Sequence, residues 1–96
     1  MIEEVEMSFD EALEYVKTKV NVGDVLELSY NRIFAPGEVL GFTEPDEVTG
    51  EGFRVGLQLT GEILNQSIEI DFDEIKDDLI EMRHITDEKE IIIEIL

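Results

Sequence analysis

From residue 25 onward, the apolar side chains of this chain recur at every second position in short runs. Leu26, Leu28 and Tyr30 alternate with Glu27 and Ser29, and Phe53, Val55, Leu57 and Leu59 alternate with Arg54, Gly56, Gln58 and Thr60. Ile68, Ile70 and Phe72 form a third run, Ile80, Met82 and His84 a fourth, and Ile91, Ile93 and Ile95 a fifth. A period of two places each run on one face of a β-strand. The runs lie too close together for parallel crossovers, which need about a dozen connecting residues. Antiparallel pairing is therefore expected.

The segment before residue 25 has a different period. Ser8 and Glu11 make a capping box, and Asp10 and Glu11 sit where the helix dipole favours anions. Ala12, Leu13, Val16 and Val20 follow at helical spacing, so a helix is predicted over 9–20, ended by Asn21 and Gly23. Farther on, Ala35-Pro36-Gly37 reads as a turn and Val39 to Phe42 as a second strand, with Gly41 at a bulge. Residues 44–52 read as a loop broken by Pro45, Gly50 and Gly52. A further turn is expected at Thr60-Gly61-Glu62, with the next strand opening at Ile63 or at Ile68. Residues 73–79 read as a single helical turn carrying Ile75 and Leu79 inward.

Composition limits what such a chain can do. The 96 residues make one α+β domain, 1–96, with 43% apolar content, too high for a disordered acidic tail. Twenty-five carboxylates face seven Lys and Arg, giving a formal charge of -18. Nucleic acids and anionic membranes need a positive track, and the seven cations are scattered among carboxylates, so neither is expected as a partner. A basic protein partner or a divalent cation suits the charge. Cysteine is absent, which removes disulfides and thiolate metal sites. Met1 to Glu6 is acidic and lacks an apolar run, so no signal peptide is expected. The expected location is the cytoplasm, where the sequon Asn65-Gln66-Ser67 would go unused.

The expected fold is an N-terminal helix packed on a strongly curved, mainly antiparallel sheet of about five or six strands. The order of helix, Gly23-Asp24-Val25 entry, bent first strands, long loop, hairpin, short helical turn and final strand resembles SH3-like and Sm-like small barrels. That resemblance covers residues 23–96 and implies partner binding through loops and edges. The basic RNA-contacting loops of the Sm family have no counterpart here. The Ile/Glu/Asp-rich usage, with the opening Glu3-Glu4-Val5-Glu6-Met7-Ser8-Phe9-Asp10-Glu11-Ala12, also resembles short acidic uncharacterised proteins of methanogenic archaea. That resemblance supplies no functional residues.

Two acidic segments are candidate sites. In the stretch from Glu69 to Glu81, Asp71, Asp73, Asp77 and Asp78 could hold Ca²⁺ or Mg²⁺ weakly, since hard cations prefer oxygen ligands. An EF-hand loop opening at Asp71 fails, because Ile75, Lys76 and Met82 occupy its fifth, sixth and twelfth positions. Glu44, Asp46, Glu47 and Glu51 form an acidic loop suited to a basic protein surface. Arg32 and Phe34, beside Ala35-Pro36-Gly37, would suit a peptide contact at an exposed tip. His84, the single histidine, could serve as a base, although a packed sheet position explains it more simply. Serines lack nucleophile context, and Gly50-Glu51-Gly52 lacks the lysine and strand-to-helix setting of a phosphate loop.

The reading that leads is a small non-catalytic protein-binding module. A weak divalent-cation or regulatory domain and a small enzyme or enzyme subunit are the alternatives. The apolar tail from Ile91 to Leu96 is expected either to lie centrally in the sheet of a monomer or to pair across a homodimer.

Overall fold

The computed structural model describes residues 1–60 and 66–96. Its elements are β1 (Ile2–Met7), α1 (Phe9–Lys19), β2 (Val25–Tyr30), β3 (Ile33–Thr43), β4 (Arg54–Leu59), β5 (Ser67–Asp71), β6 (Leu79–Ile85) and β7 (Glu90–Ile95). The strands join in one sheet of order β1-β7-β6-β2-β3-β4-β5. Every pairing is antiparallel except β1 with β7.

The sheet has seven strands, more than the five or six expected, and the additional one is β1. Only Val5 and Met7 of β1 are half-buried, so the segment shows too few apolar positions for its period to register. Its parallel partner is the last strand, and most of the chain serves as the crossover. Among the described residues no pairing joins β1 to β5, so these two strands are the sheet edges. Both sides of β7 are hydrogen-bonded within the chain, which makes the apolar tail central. It offers no free backbone edge to a second copy.

The helix forms as its signals require. Ser8 accepts from the Glu11 N–H, and the Glu11 carboxylate accepts from the Ser8 N–H. Hydrogen bonding from the Ser8 backbone, and then from its side chain, holds the Glu11 carboxyl below its ordinary pKa. Ala12, Val16 and Val20 are buried against the sheet, and Leu13 is partly buried. The helix and all the inner strand faces share one core. Phe72 stands among aromatic neighbours, with Phe53 at 5.7 Å and Phe9 at 6.4 Å between ring centroids.

Three expectations in the sheet are corrected. The first turn is at Asn31 and Arg32, whose φ values of 42° and 65° close a two-residue hairpin between β2 and β3. Ala35-Pro36-Gly37 instead lies within β3. The Pro36 carbonyl accepts from Thr60 N at 3.0 Å, so its backbone faces the β4 side, past the last β3–β4 pair, Gly37 with Leu59. The missing N–H therefore removes no bond from the β2–β3 ladder. Residues 72–78 form hydrogen-bonded turns and no helix, although Ile75 and Leu79 do point inward. Ile80 is exposed, because a register shift opposite Ser29 and Tyr30 gives its inward place to Leu79. The expected bulge at Gly41 is present. The turn at Thr60-Gly61-Glu62, the strand start at Ile63 and Asn65 of the sequon fall on or run into residues outside those described.

Gly37 is needed for close approach. A Cβ there would stand 2.7 Å from the Gln58 carbonyl oxygen, whereas a Cβ at Gly41 meets nothing within 4 Å. Gly37→Ala should lower unfolding stability by about 1–3 kcal/mol. Gly41→Ala should change it by less than about 0.5 kcal/mol. Urea unfolding of the two variants measures the contrast.

Candidate functional site

His84 lies on the inner face of β6, where its backbone pairs with Leu26 of β2 and Ile91 of β7. It is the one polar residue among the buried set, at 5% exposure. A buried imidazole must place both ring nitrogens. Two neighbouring elements supply the partners. The Tyr15 hydroxyl, on α1, lies 2.7 Å from Nδ1, and Asp24 Oδ2 lies 2.7 Å from Nε2. Tyr15 directly precedes buried Val16, so its ring lies along the margin of the helix face that meets the sheet, edge-on to the imidazole at 5.6 Å.

Asp24 is set by the turn between α1 and β2. Its carboxylate accepts from Asn21 N at 3.0 Å, and its own N–H donates to Asn21 O at 3.0 Å. The turn is also stitched to β3. Gly23 N donates to Val39 O at 2.9 Å, and Val39 N donates to Asp24 O at 2.8 Å. Gly23 takes a φ of 97°, a conformation that favours glycine.

The two partners of the imidazole are shifted in opposite senses. Burial pushes the Asp24 carboxyl up, but the Asn21 N–H, the His84 hydrogen bond and the His84 charge outweigh it and hold the group below its ordinary value. Burial, reinforced by the charges of Glu3 and Asp24, pushes the Tyr15 phenol above its ordinary value. Asp24 is therefore an acceptor and Tyr15 a protonated phenol. In the neutral imidazole, Nε2–H donates to Asp24, and Nδ1 accepts from the Tyr15 hydroxyl. Both ring nitrogens are engaged within the fold. His84 is thus a packed sheet residue whose partners tie α1 and the following turn to β6. A cleft of about 680 Å³ opens beside this chain of groups, between the end of α1 and the β6–β7 turn.

The residues singled out from the sequence lie elsewhere. Phe34 is 59% exposed and Arg32 is exposed at the hairpin tip beside it. Glu44, Asp46, Glu47 and Glu51 are exposed at the opposite end of β3, roughly ten residues and about 33 Å of strand away. The two candidate partner contacts therefore do not meet. The acidic loop is internally bonded. Asp46 Oδ1 accepts from Val48 N at 2.8 Å and Thr49 N at 3.1 Å, which holds its carboxyl below the ordinary value, and Asp46 N donates to Glu51 O at 2.8 Å. Asp71 and Asp73 likewise serve the fold. Asp71 Oδ1 accepts from Asp73 N at 2.8 Å, Asp71 Oδ2 lies 3.5 Å from Arg54 Nε, and Asp73 accepts from Gly52 N. Asp77 and Asp78 are exposed on the turn after them, without the helical spacing that would stack them on Asp73 and Glu74. Among the described residues, no three His, Asp or Glu side chains gather into a cluster that could hold a metal ion.

Sequence reasoning missed Tyr15 and Asp24, which stand 69 and 60 positions from His84. The available signal was the buried imidazole itself, which requires two partners. Tyr15→Phe leaves Nδ1 without one and should cost about 1–3 kcal/mol of stability, measured by urea unfolding. A depressed folded-state pKa stabilises the fold above the unfolded value, and that stability is lost as the pH falls through the folded value. For Asp24 the loss begins near pH 4 and continues below it. Asp24→Asn should therefore flatten the fall in stability between about pH 4 and pH 2, followed by chemical unfolding across that range.

No helix among the described residues is long and apolar enough to cross a membrane. No curated protein and no solved structure matches the chain. A family model described as an uncharacterised protein conserved in archaea, DUF2097, matches residues 3–94. The resemblance to short acidic archaeal proteins thus has a definite basis across nearly the whole length, and the chain belongs to the DUF2097 family.

Proposed function

We propose that this chain is a small non-catalytic module that holds a basic segment of a partner protein against the outer face of its sheet. One observation carries the reading. Glu6, Glu94 and Glu81 stand in direct cross-strand register on β1, β7 and β6. The same line continues through Ser29 of β2 to the exposed Phe34 of β3.

Like charges directly opposite one another destabilise a sheet. Arg83 Nε approaches Glu81 Oε1 at 3.2 Å, and it is the one cation the structure pairs with this row. The row therefore carries uncompensated repulsion that a line of Lys or Arg side chains would relieve. Phe34 supplies an apolar anchor at its end. Five strands span about 19 Å, the length of roughly six residues of extended peptide. Recognition of this kind acts through charge complementarity, so it is fast and sensitive to salt.

The same reading takes the sheet to be strongly curved, since the inner faces of all its strands share one core. It takes the chain to be a monomer, because β7 has no free edge and the edge strand β1 carries Glu3, Glu4 and Glu6. A cytoplasmic location belongs to the same proposal.

Titration with an oligolysine peptide, followed by amide chemical shifts, tests the proposal. Shifts should gather on β1, β7, β6 and the Phe34 region and vanish at high salt. Shifts scattered over all acidic segments, or a larger response of this row to Ca²⁺ than to the peptide, would overturn it. The triple variant E6Q/E81Q/E94Q should lose the response. It should also gain about 0.2–1 kcal/mol of stability for each relieved pair.

A further inference from the structure

We propose that the cleft beside the Tyr15–His84–Asp24 chain is a second site, independent of the outer face, that binds a small zwitterion of the amino-acid class. The argument rests on charge placement, geometry and size. The volume of about 680 Å³ lies within the usual range for small-molecule sites. Lys19 and Lys89 line the cleft, as do Asp87 and Glu88. Asp24 also lines it, but its carboxylate is engaged by His84 and Asn21 N. The cleft's unengaged charges are thus two positive and two negative. That balance is unusual in a chain of formal charge -18.

Of the five other cations three are occupied, whereas Arg32 and Lys76, which lie outside the cleft, are in no ion pair among the described residues. Arg54 is paired with Glu69 and Asp71, Arg83 is paired with Glu81, and Lys17 Nζ lies 5.3 Å from the Phe53 ring centroid. Among the described residues neither Lys19 nor Lys89 is in an ion pair. A simple anion would be repelled by the surrounding carboxylates. A simple cation has many exposed carboxylates available and gains nothing from two lysines. A molecule carrying both signs can use both sets of charges, its carboxylate meeting the lysines and its ammonium Asp87 and Glu88. Tyr15 adds direction. With the imidazole neutral and Nε2–H toward Asp24, the Tyr15 hydroxyl donates to Nδ1 and its oxygen is left as an acceptor for an N–H donor. Binding would be reported by His84, whose ring nitrogens sense any change at the Tyr15 oxygen.

The test is a titration of the full chain with glycine, L-glutamate, L-lysine and L-leucine, read from backbone amide and imidazole nitrogen shifts. Acetate and methylammonium serve as single-charge controls. At least one amino acid should give saturable shifts at His84, Lys19 and Lys89, with both controls weaker by roughly tenfold or more. Lys19→Met and Lys89→Met alter exposed side chains and should fold normally. Each should weaken the amino-acid response severalfold while leaving the oligolysine response of the outer face intact. That separation keeps this proposal distinct from the one above. The absence of saturable shifts with all four amino acids would overturn it, as would equal responses to the controls or undiminished binding by both lysine variants.

Discussion

A single helix of eleven residues cannot cover one face of a seven-stranded sheet. Such a helix is about 16 Å long and 10 Å wide, whereas the sheet is about 29 Å across. The rest of the inner face must be covered by other parts of the chain. At the β4–β5 side, Phe53 and Phe72 fill the space with their rings, and Phe42 stacks on Phe53 at 5.9 Å. The turns over 72–78 contribute buried Ile75. Val16 and Val20 cover the rest from the helix, against Met82 and Ile93 in the same core. The short helix thus explains why the turn before β6 is rich in carboxylates yet carries an inward Ile. Its backbone is there to deliver one side chain to the core.

Charge is partitioned to match. Among the described residues the core contains no ionisable group besides His84, and their carboxylates stand on the outer face, the loops and the edges. On the edge strand β1, Glu3, Glu4 and Glu6 discourage pairing with another chain, while Val5 and Met7 face the core. At the other edge, Glu69 and Asp71 are neutralised by Arg54 at 3.2 and 3.5 Å. Among the described residues the row on β1, β7 and β6 makes one ion pair, Glu81 with Arg83. The two sides of the sheet therefore differ in how far their acidity is compensated within the chain. That difference favours the β1 side as the place where a positive surface would dock.

What the sequence made readable was local. Ser8 and Glu11 are three residues apart, so the capping box and the helix follow from them directly. Alternation from Phe53 to Leu59 placed β4 correctly because every inward residue there is apolar. The hairpin at Asn31 and Arg32 carries no glycine, whereas Pro36 and Gly37 imitate a turn. Gly37 answers to the Gln58 carbonyl on the next strand, which no local pattern reveals. Strand β1 was hidden because its pairing with β7 joins the two ends of the described chain. The candidate sites divide in the same way. Exposure of Phe34 could be read from its neighbours, but its alignment with Glu81, Glu94 and Glu6 depends on the order of five strands.

His84 connects these levels. A Leu or Met in its place would satisfy the core without partners and without a desolvation penalty. The imidazole instead requires one group from the helix and one from the turn that follows it, each at 2.7 Å. Hydrophobic contacts between Val16 and the sheet tolerate small slides of the helix, because dispersion is not directional. A hydrogen-bonded chain of three side chains does not tolerate them. Tyr15 can reach Nδ1 only if α1 sits in one rotation and one register, and that register also brings Lys19 to the lining of the cleft. The buried polar group thus sets the position of the helix, and the position of the helix shapes the cleft that both lysines line.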